Sequence, residues 1–291
     1  MTMTGRKQKG ARRAWMGGIG MGRAAGILAA SFLAAGVSRA QVAGESEDAA
    51  GARAIIDKAV KAHGGADKLS RFKAVSAKWI GKHRIENEHY GDAVRYVTYE
   101  MAINEMPVKI RFDFEVENPK GSNFTFARVV NGKKGWQGSD RRNRELNEAE
   151  VTHIVDEIYA HWLASVAPLR DLAALKDKGF KFSVFGNVPA DGKDAVGVLV
   201  LCKGRPDVIL FFDKATGLAI KSERRAKDPA TNREYTAESI YRDHKPFQGV
   251  MWPTNRLDRR DGMDLEENSG RFELSEFQAL DELNESTLAR P

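Results

Sequence analysis

The chain has 291 residues, of which 42 % are apolar and 30 % charged, proportions that exclude a collagen-like or disordered polypeptide. Its net charge of +6 is unevenly placed: residues 1–40 hold seven basic groups and no acidic one, leaving 39 basic against 40 acidic groups in the rest. The basic excess that would fit a nucleic acid or an anionic membrane therefore belongs to a leader, and nucleic acid is not an expected partner.

That leader reads as a secretory signal peptide. A basic stretch precedes an apolar run from Ala24 to Val37, and Ser38-Arg39-Ala40 places small residues at −3 and −1 of a cut after Ala40. Fourteen residues are too few to span a bilayer, which takes about 20, so no stable transmembrane anchor is expected and the mature protein is periplasmic or secreted. Arg12-Arg13 and a second start at Met21 leave the export route, general or twin-arginine, open. The single Cys202 has no partner for an intramolecular disulfide and reads as a small buried hydrophobe.

Residues 41–50 read as a flexible mature amino terminus and 51–291 as one domain. Ala54, Ile55, Ile56, Ala59 and Val60 have helical spacing, stopped by Gly64-Gly65. From Val108 to Val116 apolar and charged residues alternate strictly, predicting a strand with one buried and one wet face. Phe124-Thr-Phe126 continues the sheet up to Asn131-Gly132, a strong hairpin signal, and Lys134-Gly-Trp136 returns. Asn147-Glu-Ala-Glu150 has the form of a capping box ahead of a helix with Val151, Ile154, Val155, Ile158 and Trp162 on one stripe. Pro168 ends that helix and opens a short second one through Leu169, Leu172 and Leu175, closed by Gly179. Strands are then predicted at 180–185, 195–202, 207–212, 218–223 and 235–243, with a late hairpin from 250–260 and 271–279. The connections are short and rich in Gly, Pro and Asp, which favours antiparallel neighbours. Ala195–Cys202 and Val208–Phe212 are apolar at both parities and so are expected to be covered on both faces, by helices on one side and a second curve of the sheet or a cavity on the other.

Four stretches in this order carry a family resemblance: Ala62-His63-Gly64-Gly65 after the leading helix, Val129-Val-Asn-Gly-Lys-Lys-Gly-Trp136, Gly204-Arg-Pro-Asp-Val-Ile-Leu-Phe-Phe-Asp-Lys-Ala-Thr-Gly-Leu218, and Tyr241-Arg-Asp-His-Lys-Pro-Phe-Gln-Gly-Val-Met-Trp-Pro253. Over roughly residues 50–291 the chain resembles the exported LolA-like proteins, the periplasmic carriers of outer-membrane lipoproteins, and within them the longer members of planctomycete-like bacteria. The Phe-Asp-x-x-Thr-Gly-Leu turn is the best local match. The resemblance implies an α+β fold in which a strongly curved antiparallel sheet forms a half-open β-barrel with helices packed at its opening. It also implies an apolar interior that takes up acyl chains. The chain is longer than the carriers proper, and no motif marks the arginine that holds their lid.

Enzyme chemistry finds little support. His153, Glu157 and His161 share a helical stripe about 120° from the apolar one, which reads as a wet flank. They lack the His-Glu-x-x-His arrangement of a zinc hydrolase. His83 and His89 flank a probable turn and are too far apart in extended chain, about 20 Å, to chelate one ion. No Gly-x-Ser-x-Gly elbow or phosphate loop occurs, and Arg141-Arg142-Asn-Arg144 reads as a solvated hairpin edge. No catalytic residue, metal or cofactor is assigned. The expected function is non-enzymatic binding of a lipid or lipoprotein acyl chain, lined by Phe112, Phe114, Leu199, Leu201, Leu210, Phe212 and Trp252. The alternatives are a sensor or scaffold that binds another envelope protein without lipid, and a secreted metal-dependent hydrolase using His153 and His161.

Overall fold

The computed structural model describes residues 45–83, 93–117, 123–139, 142–229, 231–264 and 270–291; the signal-peptide reading and His89 fall outside them. Helix α1 (Glu45–Ala62) already begins inside the stretch read as a flexible terminus, and α2 (Ala66–Leu69) follows Gly64-Gly65. At Gly64 φ is +118° and a Cβ would lie 2.4 Å from the Gly249 carbonyl, so both conformation and space require glycine there. Next come β1 (Ala74–His83), β2 (Ala93–Ala102), β3 (Lys109–Glu117), β4 (Phe124–Asn131), β5 (Lys134–Ser139) and β6 (Arg142–Glu145). Helix α3 (Glu148–Ala164), a 3-10 turn at Ala167–Arg170 and α4 (Leu172–Asp177) form the helical insertion. The remainder is β7 (Phe180–Asn187), β8 (Ala195–Cys202), β9 (Val208–Asp213), β10 (Ala219–Lys227), β11 (Glu234–Arg242), β12 (Lys245–Phe247), β13 (Val250–Trp252), β14 (Asn255–Arg260), β15 (Met263–Asp264) and β16 (Arg271–Leu280).

Thirteen strands form one antiparallel path, β6-β5-β4-β3-β2-β1-β16-β14-β11-β10-β9-β8-β7, with β15 added beside β14 and β12–β13 as a separate hairpin. The path does not close: β6 and β7 are its two edges. Strand β16 joins the halves, pairing with β1 through Gly81↔Phe272 and with β14 through Arg256↔Phe272.

The sheet curves around α3. Laid flat, β4 and β10 are seven steps apart, about 34 Å at the usual strand spacing, whereas a helix of 17 residues is about 25 Å long. Helix α3 nonetheless packs on β4 and β5 at one end of the path and on β9 and β10 at the other. Its start is fixed as the sequence predicts: Glu150 N–H donates to Asn147 Oδ1 and Asn147 N–H donates to Glu150 Oε2, each at 2.9 Å. Its apolar stripe, Val151, Ile154, Val155, Ile158 and Trp162, is buried, and the Trp162 indole donates to the Ile103 carbonyl at 2.8 Å.

Two local expectations are corrected. The stretch 250–260 is not one strand, because Pro253 lacks an N–H and the chain breaks there into β13 and β14, which pair with different partners. The double apolarity of β8 and β9 reflects two separate packing clusters. One face, with Val198, Val200, Val208, Leu210 and Phe212, joins the main core; on the other, Ala195, Phe211 and Ile220 form a small separate cluster with Ala190 from the loop after β7. That loop folds back over its own sheet, and Phe185 meets Phe211 edge-on at 6.0 Å.

Candidate ligand-binding cavity

Between α3 and the concave face of the sheet lies a cavity of about 170 Å³. Strand pleating explains its walls, since alternate residues share a face. Trp79 of β1, Arg95, Val97, Tyr99 and Met101 of β2, and Phe112 and Phe114 of β3 point into it. Arg128 of β4 and, across β16, Phe272, Arg256 of β14, Tyr241 of β11 and Trp252 complete the sheet side. Helix α3 contributes Ile154, Glu157, Ile158 and His161. Gly81 makes room for the Phe272 ring, which a Cβ there would approach to 2.5 Å.

Three guanidinium groups stand against this aromatic wall. Arg95 lies 5.1 Å from the Phe272 centroid and 6.0 Å from that of Phe114; Arg256 lies 4.6 Å from Phe272 and 5.3 Å from Trp79. Arg128 sits 5.4 Å from Phe114 and 5.6 Å from Phe126, two rings stacked at 4.3 Å, and donates to Gln137 Oε1 at 2.7 Å. Burial together with the neighbouring charge of Arg256 pulls the Arg95 pKa down to about 10. Arg256 pairs with Asp258 at 3.2 Å, and burial holds the Asp258 carboxyl above its ordinary range despite that partner.

A second, more polar chamber of about 230 Å³ shares Arg95, Glu157, His161 and Phe272 with the cavity and adds Arg224, Arg259, Arg260, Glu238 and Asp258. Between the two runs a hydrogen-bonded chain in which His161 Nδ1 and the Tyr241 hydroxyl are 2.9 Å apart and Tyr241 and Ser222 Oγ also 2.9 Å. Burial, reinforced by Arg256 and Arg224, keeps His161 neutral, its pKa well below the usual imidazole value. Either space alone is smaller than the roughly 300–1,000 Å³ of ordinary small-molecule pockets, while the two joined fall within that range.

Of the residues singled out in the sequence, Phe112, Phe114 and Trp252 come together on the cavity wall. Leu210 and Phe212 are fully buried in the adjoining core and do not reach the wall. Leu199 and Leu201 stand on the opposite face of β8 from Val198 and Val200, because the pleat alternates. His153, Glu157 and His161 are half-buried and not on a wet flank, because the sheet wraps α3 on more than one side. Among the described residues no group of three His, Cys, Asp or Glu side chains is arranged to hold a metal ion, and His161 is engaged with Tyr241. Sequence reasoning missed Arg95, Arg128 and Arg256. The signal for Arg95 was present, since in Val94–Met101 it has the parity of Val97, Tyr99 and Met101, a charge on an apolar face.

No family model matches the chain, and no curated protein matches it in sequence. It is similar to several solved structures. A LolA superfamily protein from Nitrosomonas europaea is 13 % identical with a TM-score of 0.47, and a putative outer membrane lipoprotein-sorting protein domain from Vibrio parahaemolyticus is 10 % identical with a TM-score of 0.48. A DUF1329 family protein from Desulfovibrio piger is 12 % identical with a TM-score of 0.46. Each comparison covers 82 % of this chain and 97 % of the other.

Proposed function

We propose that the protein is an exported, non-enzymatic binding protein of the bacterial envelope that holds the acyl part of a lipid or lipoprotein between α3 and the concave face of its sheet. The observation that carries this reading is the cavity itself: an aromatic and aliphatic pocket built by strands from both halves of an open sheet and roofed by one helix. Phe112, Phe114 and Trp252 are the wall residues assigned to the acyl group, together with Trp79 and Phe272.

Magnitude limits what enters. An engineered apolar cavity of about 150 Å³ takes up benzene, so 170 Å³ accommodates a short acyl segment and not a whole long chain. At about 0.8 kcal/mol per buried methylene, a chain of about 15 methylenes is worth about 12 kcal/mol of burial. The cavity between α3 and the sheet therefore buries only part of such a chain. The test is to purify the protein from a bacterial periplasm, extract it with organic solvent and identify bound lipid by mass spectrometry. Stoichiometric acyl lipid is expected; protein that carries none and takes up none when offered it contradicts the reading.

A further inference from the structure

Buried donors with no acceptor are the anomaly of this cavity. Arg95 Nε, Arg256 Nε and Trp252 Nε1 are fully buried on its wall and reach no hydrogen-bond partner among the described residues. Trp79 Nε1, on the same wall, lies toward the Tyr99 hydroxyl without reaching hydrogen-bond geometry. All are groups that only donate. Buried polar atoms are almost always paired, and one left unpaired bears its whole desolvation cost, so several on one wall call for an acceptor-rich ligand.

Charge points the same way. Arg95 forms no ion pair among the described residues; it stands over the faces of Phe114 and Phe272, with Glu157 and Asp258 acting on it from beyond ion-pair distance. Arg256 stands against the same Phe272 ring, so two like charges share one wall. Of the other arginines on the two spaces, Arg260 pairs with Asp228, while Arg128 and Arg224 form no ion pair among the described residues. Glu238 is bound by Lys221 through Oε1, with Oε2 a buried acceptor, and Asp258 is bound by Arg256, which leaves Glu157 without a direct ion pair among the described residues. Arg224, only 7 % exposed, opens onto the polar chamber as well.

We infer that the site is selective for amphiphiles with an oxyanion head: the tail enters the aromatic cavity while a carboxylate or phosphate is held by Arg95 and Arg256. The planar fork of a guanidinium matches either oxyanion in a two-bond contact. The apolar cavity and the cationic chamber adjoin at Arg95 and Phe272, as the head and tail of one molecule require.

This inference rests on the acyl-binding reading, and one titration separates the two. The intrinsic tryptophan fluorescence of the full mature protein is followed with octanoate, octyl phosphate, neutral 1-octanol, acetate and inorganic phosphate. Octanoate or octyl phosphate is expected to bind at least about tenfold more tightly than octanol, with acetate and phosphate weaker still. The stronger of the two anionic probes identifies the head as carboxylate or phosphate. Arg95→Gln, checked by circular dichroism and unfolding midpoint, is expected to remove that preference, so that octanoate, octyl phosphate and octanol bind within about threefold of one another. The head-group comparison on the unaltered protein decides the matter even if the variant does not fold. Octanol binding as tightly as the anions overturns the selectivity and leaves the acyl site standing. Acetate or phosphate binding as tightly as their octyl counterparts overturns it in favour of a plain anion site, and no binding of any eight-carbon probe overturns both.

Discussion

At the scale of single residues, the protein stakes its interior on polar groups held in a nearly dry setting. His63 is one such group outside the cavity. It is 1 % exposed, its Nδ1–H donates to the Ala59 carbonyl at 2.8 Å, and burial pushes its pKa down from 6.5 to about 4. Above pH 6.5 the ring is neutral in both the folded and unfolded chain and adds no pH dependence. Between about 6.5 and 4 the unfolded chain takes up a proton that the folded one refuses, so stability falls, by on the order of 3 kcal/mol across the window. Urea unfolding of the native protein is expected to lose more stability between pH 7 and pH 4.5 than that of His63→Gln; parallel profiles for the two would remove the assignment. The buried arginines were harder to read. Arg95 betrays itself by strand parity, whereas Arg256 sits in Asn255-Arg-Leu-Asp-Arg-Arg260, where nearly every position is polar and only the sheet pairing tells which side faces in.

At the scale of elements, much of the fold was legible because local chemistry and tertiary structure agree. The alternation from Val108 to Val116 becomes β3, Asn131-Gly132 becomes the turn between β4 and β5, and Asn147 with Glu150 caps α3. Glu150 is held twice over, since its carboxylate also accepts from Arg144 of the edge strand β6 at 2.9 and 2.8 Å. Replacing Asn147 by Ala is expected to cost about 1 kcal/mol, read as a lower urea midpoint at unchanged slope. A midpoint that does not move would show that the cap contributes nothing to the roof of the cavity. What the sequence could not convey is how far the sheet bends. A stripe about 120° from the main apolar face of α3 lies in water on a flat sheet and inside on a curved one, which is why Glu157 and His161 change sides. Likewise the part of the outer face of β8 and β9 around Ala195 and Phe211 is covered by Ala190 of the loop after β7, a contact that periodicity does not encode, while Leu199 and Leu201 stay half-exposed.

At the scale of the whole molecule, residues 42–291 make one compact unit whose thirteen-strand path stays open at β6 and β7, so its core is a curved sheet closed by helices and not a sealed barrel. Such an arrangement separates two tasks. The β7–β9 side, with Leu210 and Phe212, belongs to the packed core, while β1–β4, β10, β11 and β14–β16 leave space beneath α3. Among the described residues no helix is long and apolar enough to cross a membrane. In the proposed function an apolar tail enters the space between Trp79, Trp252 and α3. A fatty acid brominated near its methyl end reports on this through tryptophan fluorescence, because a bromine quenches only rings it nearly touches. Saturable quenching is expected in the native protein, relative to an unbrominated control, and is expected to fall in the Trp79→Phe and Trp252→Phe variants, since both rings line the cavity. Quenching that is absent, or that survives unchanged in both variants, would place the tail elsewhere and contradict it.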